Sequence, residues 1–286
     1  MNSAGMKSPR QMRLLIGVCA LALSSAGLRP AYAGPWIPAQ GHGTFDPMLR
    51  YFSADKAFSA TSFGSSTHSS SRQRETQLRI TGSQGIGNRL SIEYDLRGGS
   101  LQETRHHAGK QVTNSSSGLE DQEIGLNYGL RQTKSFADSI SFNVIVPTGS
   151  TTQVPALGAG KAAIEPDYQL GIARGAMVAT LVAGPRVFLD GGAVQLRTSL
   201  SLGYRVTPRI RLAGSVFFVR TLHRQQVVAP ADRGEIYNLL RVGAKLEYLP
   251  QGHFSQWRPF VAYESSVAGE GIHAGQRLTI GCALHF

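Results

Sequence analysis

The last ten residues, Arg277 to Phe286, read RLTIGCALHF. From Leu278 every second residue is apolar (Leu278, Ile280, Cys282, Leu284, Phe286), and the residues between, Thr279, Gly281, Ala283 and His285, are small or polar. Successive side chains of a strand point to opposite faces, so this reads as a two-faced strand ending on an aromatic. An antiparallel strand over a soluble core alternates in the same way. Termini usually fray, however, and an aromatic in the last position fits better the closing strand of an outer-membrane β-barrel.

The whole chain has 286 residues, 41% hydrophobic and 16% charged, with 33 Gly and 13 Pro. Such a composition suits one all-β unit of about 250 residues. Beyond the first 30 residues no run of about 18 apolar residues occurs, so no transmembrane helix is expected there. A chain that spans lipid without helices must close into a barrel, because closure satisfies every backbone polar group.

The N-terminus reads as an export signal. Lys7, Arg10 and Arg13 precede the apolar run Leu14–Leu28, and Ala31-Tyr32-Ala33 is a small-residue cleavage site. The expected organisation is therefore a signal peptide over residues 1–33 and a barrel over 34–286. Lys7, Arg10, Arg13 and Arg29 leave with the signal, so 29 basic residues become 25 against 18 acidic, a mature net charge of 29 − 4 − 18 = +7. The cations are spread along strands rather than clustered, and with export this argues against a nucleic-acid partner. Cys282 is the one cysteine that follows the signal, so neither a disulfide framework nor a cysteine metal site is expected.

Along the chain, the Pro- and Gly-rich lead-in GPWIPAQGHG runs into a strand at Thr44–Phe52, then a Ser-rich loop over 53–72. The clearest hairpin follows. Leu78 and Ile80 alternate with Gln77, Arg79 and Thr81; Gly85-Ile86-Gly87-Asn88 turns; Leu90, Ile92, Tyr94 and Leu96 alternate with Arg89, Ser91, Glu93, Asp95 and Arg97. The charged side of this hairpin must see water. Residues 98–118 are expected as a second polar loop, and 148–164 as a third. Alternating strands recur at 123–130, 140–146, 168–172, 194–206, 210–218, 236–248 and 258–265. Met177–Gly184 is apolar without alternation.

Short turns at 85–88, 131–135, 207–208 and 249–256 alternate with long loops at 53–72, 98–118, 148–164 and 222–234. Bacterial barrels keep short turns on the periplasmic side and long loops outside. Eleven strands are clear, but the pair near 170 and 200 would then both point down. Met177–Gly184 must supply an upward strand between them, which gives a transmembrane antiparallel up-and-down barrel of about twelve strands. Tyr128, Tyr204, Tyr248 and Phe286 each fall on the apolar face near the lower end of a downward strand, as an interfacial aromatic girdle requires.

The opposite faces collect the candidate lumen residues Arg79, Arg89, Glu93, Asp95, Arg97, Glu123, Arg197, Arg205, Arg209, Arg211, Arg241, Lys245, Glu247 and Arg277. This set carries an arginine excess. It reads either as a polar channel favouring anionic or neutral solutes or as a plugged lumen of mutually satisfied ion pairs. Enzyme chemistry is not expected. His68 and the pair His106-His107 lie in Ser- and Gly-rich segments without fixed partners, and no lipase-like signature surrounds them. Gly158-Ala159-Gly160-Lys161 is similar to a phosphate loop, but Pro155 and Ala162 stand where Gly and Ser or Thr are needed. No cofactor is expected. The expected partners are outer-membrane lipid and lipopolysaccharide, and the barrel-assembly machinery through the C-terminal strand.

The segment WIPAQGHGTFDPMLRYFSADKAFSATSF, Gly118-Leu119-Glu120-Asp121-Gln122-Glu123-Ile124-Gly125-Leu126, Pro147-Thr148-Gly149-Ser150 and the Gly-containing closing strand resemble XagA-like outer-membrane proteins. They also resemble the broader group of MetA-pathway-of-phenol-degradation proteins. The resemblance spans most of the mature chain and implies an outer-membrane barrel. One branch is linked by name to exopolysaccharide and biofilm loci, the other to uptake of aromatic compounds. No functional residues carry over from the family pattern. The chain departs from it in the Ser-rich first loop and over residues 174–192.

Overall fold

The computed structural model describes residues 34–107, 110–189, 192–223 and 237–286. The signal expected in residues 1–33, and most of the loop expected at 222–234, lie outside the described residues. Thirteen strand segments follow in order: β1 Gly43–Ala57, β2 Thr67–Gly85, β3 Leu90–His107, β4 Lys110–Leu119, β5 Gln122–Gln132, β6 Phe136–Val146, β7 Ala163–Arg174, β8 Met177–Phe188, β9 Val194–Thr207, β10 Ile210–His223, β11 Asn238–Tyr248, β12 Trp257–Glu270 and β13 His273–His285. Neighbours are antiparallel, and β13 pairs with β1, with Tyr51 opposite Leu278, so the sheet has no seam. β4 and β5 share one position in the wall. The lower part of β3 pairs with β5 (Leu90 opposite Tyr128) and the upper part with β4 (Gly98 opposite Leu119). Thirteen segments thus make a closed barrel of twelve strands.

Met177–Gly184 lies in β8, the upward strand that the topology demanded. Its irregular pattern has two causes. Val178 and Val182 share the inner face with Thr180 and Arg186, so apolar side chains stand on both sides of the strand. The β7–β8 ladder also breaks between Ile164↔Val187 and Tyr168↔Ala183, where Pro166 and Pro185 fall opposite each other. Neither proline has an N–H to donate.

Two expected loops are strand over much of their length. β1 continues to Ala57 and β2 begins at Thr67, which leaves only residues 58–66 as loop in the expected 53–72. The described residues of the loop expected at 98–118 are strand: 98–107 form the upper arm of β3 and 110–118 nearly all of β4, which pair with each other and, with β2, rise as a ribbon. Both faces of its upper part are largely exposed, while lower down Leu101, Glu103 and Ser116 are buried and Ser116 donates to the Pro155 carbonyl. Ser, Thr, Gln and Gly stand on both faces, so no alternation is visible in sequence. Cross-strand pairs such as Thr104 and Thr113, whose hydroxyls are 3.1 Å apart, support it.

Burial is inverted relative to a soluble protein. Leu49, Leu78, Leu126, Phe142, Leu202, Leu212, Leu246 and Ile280 form an outward belt, each between 44% and 59% exposed, while Ser91, Asn127, Ser139, Ser141 and Gln195 are fully buried inside. An apolar belt of this extent is tolerated only against lipid. Tyr128, Tyr204, Tyr248 and Phe286 are half exposed on the outer face toward the short-turn end. Tyr168 joins them, since Ile140 lies opposite both Tyr128 and Tyr168. The compact apolar packing is inside the barrel near the long-loop end, as two small clusters: Phe58, Val219, Leu239 and Ala274, and Ile145, Ala163, Phe188 and Ala193.

Candidate functional site

The lumen is furnished by every second residue of the wall, and three layers of contacts divide it. At the short-turn end the lead-in turns into the barrel instead of trailing from it. Pro35, Trp36, Ile37 and Pro38 are all buried. The Trp36 indole N–H donates to the Thr133 carbonyl at 3.1 Å, and Gln132 holds Ile37 from both sides, accepting its N–H at 2.9 Å and donating to its carbonyl at 3.0 Å. Two wall glycines make room. A Cβ on Gly171 would lie 2.3 Å from the Trp36 ring, and one on Gly129 would lie 2.9 Å from the Ile37 side chain. Nothing in the spacing of GPWIPAQGHG signalled this plug, because its partners are glycines about 90 to 140 residues away in sequence.

Above the plug an ion-pair chain crosses one wall. Arg79 grips Asp95 with two bonds of 2.7 and 2.5 Å, and Arg97 donates to the same carboxylate from its Nε at 2.9 Å. Arg97 reaches Glu123 at 3.5 Å, and Arg186 donates to Glu123 at 2.8 Å. Arg186 also contacts Glu165, which Arg197 meets at 2.6 Å. Each carboxylate here is shared by two guanidiniums, so charge alternates along the chain and each buried acid is compensated. On the facing wall Glu264 lies 3.6 Å from Arg50 and 3.3 Å from Arg277. Lower down, Arg211 meets Glu247 at 2.8 Å, with the Lys245 ammonium 3.8 Å from the same residue.

Between these walls lies a cavity of about 530 Å³. Among the described residues its lining holds seven arginines (50, 79, 97, 186, 197, 241 and 277) against three carboxylates, Glu75, Asp121 and Glu264. Arg241 makes no ion pair among the described residues. Its guanidinium lies 5.8 Å from the centre of the Phe217 ring, with Arg197 5.3 Å from the same ring and Arg277 5.6 Å from the Phe52 ring. Guanidiniums stacked on aromatics keep their N–H edges free to meet an anion. Two smaller hollows lie toward the short-turn end. One of about 270 Å³ is lined by Gly34, Asp46, Glu93, Asp95 and Glu123 with Arg79, and one of about 180 Å³ includes Asp46, Arg211, Lys245 and Glu247. Charge is therefore graded along the axis, cationic in the large chamber and more acidic beside the plug.

The segment 147–162 covers the other end. Asp121, at the break between β4 and β5, accepts the backbone N–H of Gly149 at 3.1 Å and of Ala159 at 2.8 Å. These bonds draw Leu157, Gly158 and Ala159 over the chamber, which they line. Gly158-Ala159-Gly160-Lys161 thus belongs to a folded-in loop pinned by a carboxylate.

Most of the expected lumen residues come together here: Arg79, Asp95, Arg97, Glu123, Arg197, Arg241 and Arg277 around the chamber and its wall, and Arg211, Lys245 and Glu247 below. Glu93 lies beside Gly34, and Arg205 is on the inner face of β9. Arg89 and Arg209 are different. Both are exposed and sit in the turns at 86–89 and 208–209, outside the strands that impose a face. Arg50, Arg186 and Glu264 were missed, although each has the inward parity of its strand. Arg186 was hidden by the irregular 174–192 stretch, and Arg50 by the apolar Met48 before it. His68 and His106 border a polar hollow of about 650 Å³ on the ribbon, with Arg72 and Arg74.

No family model and no curated protein matches the chain. Solved structures do. The COG4313 outer membrane channel of Pseudomonas putida F1 is 13% identical over 90% of this chain and 99% of its own, with a TM-score of 0.65. The translocator domain of the autotransporter NalP from Neisseria meningitidis is 11% identical over 97% of this chain and 95% of its own, with a TM-score of 0.52. Likeness at this identity is likeness of fold. With the outward apolar belt, it places the chain in the bacterial outer membrane.

Proposed function

We propose that the barrel is a passive channel for small or elongated anionic solutes, aromatic ones among them, with selectivity set in the arginine-lined chamber. The observation that carries this reading is the chamber lining itself, seven arginines against three carboxylates, and still seven against six when the paired Asp95, Glu123 and Glu165 behind them are counted, with Phe52 and Phe217 among the lining residues. A fixed cationic field inside a low-dielectric wall raises the local concentration of anions and depresses that of cations. Such a lining is stable without solute because the paired guanidiniums are compensated, while Arg241 makes no ion pair among the described residues and the nearby Glu264 is already shared by Arg50 and Arg277. Liposome swelling tests it with solutes matched in size. Benzoate should enter faster than benzyl alcohol, and benzylamine slowest. Equal rates for the three would remove charge selection.

The plug at one end and the pinned loop at the other favour a second reading, a non-conducting barrel that supports surface polysaccharide or biofilm assembly through its external ribbon. It is separated from the first by the same liposomes, because it gives no swelling with any solute.

A further inference from the structure

Gly34 sits where the lumen is acidic and short of donors. Its carbonyl accepts from Asn127 Nδ2 at 3.5 Å, and the same nitrogen donates to Glu93 Oε1 at 2.8 Å. Asn127 is fully buried and Gln169 is only 5% exposed. Yet Asn127 Oδ1 and Gln169 Oε1 have no hydrogen-bond partner among the described residues. Gln169 Oε1 lies 3.9 Å from the point where a Cβ on Gly34 would stand. Glu93 and Asp167 differ from the other wall carboxylates: Asp95, Glu123 and Glu165 each meet guanidiniums, whereas neither of these two makes an ion pair among the described residues. Buried acceptors left without donors are costly, and buried carboxylates without a cation more so.

The sequence supplies a group that fits. Cleavage after Ala33 adds water across the Ala33–Gly34 amide; the new carboxylate leaves with the signal, and the amine, protonated, stays on Gly34. We infer that the α-ammonium of Gly34 is a built-in cation of the lumen, pairing with Glu93 and donating to the vacant oxygens of Asn127 and Gln169. An intact amide at this position offers one N–H and no charge, whereas the ammonium offers three donors and a full charge. Processing therefore creates the group that locks the lead-in against the wall. The assignment does not depend on whether the barrel conducts.

Acetylation of the folded, detergent-extracted mature barrel with an N-hydroxysuccinimide acetate, read by mass spectrometry of the N-terminal peptide, tests it. The peptide should begin at Gly34, and its amine should react at least about tenfold more slowly than in the urea-unfolded chain, the factor one charge-assisted hydrogen bond supplies. Glu93→Gln, nearly isosteric, should raise the folded-state rate severalfold. One Ala inserted between Ala33 and Gly34 moves the amine by about 3.8 Å and should remove the protection without touching the wall. A mature chain beginning elsewhere, a folded-state rate equal to the unfolded one, or protection unchanged in both variants would overturn the assignment.

Discussion

The indole of Trp36 packs against the bare backbone of Gly171, close enough that a single added Cβ would stand 2.3 Å from the ring. That contact fixes the lead-in inside the barrel and makes one wall position control the plug. Gly171→Val should expel Trp36 while leaving the strands intact, because the overlap is with the rigid ring system and the strand backbone cannot retreat. With Trp257 replaced by Phe, Trp36 becomes the only tryptophan of the chain. Its emission should then be shielded from iodide in the parent and quenched in the valine variant. Equal quenching would mean that the lead-in does not occupy the lumen.

Asp121 holds the folded-in loop by accepting two backbone N–H groups. Asp121→Ala leaves both amides without this acceptor, at about 1–3 kcal/mol for each one that stays buried. The loop should therefore swing out rather than remain. The expected result is faster swelling of liposomes with large solutes and new protease cleavage between residues 150 and 161. The barrel itself should keep its heat-modifiable migration on gels.

Asp95 is shared by Arg79 and Arg97. Asp95→Ala strands Arg79 and leaves Arg97 with Glu123 at 3.5 Å, and removing one partner of a largely buried pair costs about 3 kcal/mol. Urea unfolding in lipid vesicles should shift down accordingly. Anion entry should rise in the same variant, because the lumen becomes one charge more positive.

The two faces of the wall should respond in opposite ways to the same substitution. Leu126→Arg places a charge on the lipid side of mid-barrel and should cost about 2–4 kcal/mol of folding free energy in vesicles. Ser215→Arg, on the chamber lining, should cost about 0.5 kcal/mol and strengthen anion preference instead. A larger loss at Ser215 than at Leu126 would reverse the assignment of faces.

Which parts of the structure were legible in sequence follows from where water lies. Strands with lipid on one side and water on the other, such as those carrying Leu78, Leu212 and Ile280, alternate because the two solvents differ. The ribbon above Gly98 has polar side chains on both sides and lost its pattern; β8 has apolar side chains on both sides and lost it too. The twelfth strand was nevertheless recoverable at Met177–Gly184, because an antiparallel closed sheet needs an even count. Parity named Arg79, Asp95, Arg97 and Arg277, but the pairing of Glu123 with Arg186, and of Gly171 with Trp36, depends on wall curvature and long-range closure that no local window contains. Arg89 and Arg209 show the converse limit: parity was extended into turns, where it no longer assigns a face.

The reversal potential of single channels in a planar bilayer under a tenfold potassium chloride gradient tests the cationic chamber most directly. The barrel should reverse on the chloride side of zero, and Arg241→Glu with Arg277→Glu should move it toward potassium. A potassium-selective parent, or a reversal potential indifferent to both substitutions, would contradict an arginine-governed path.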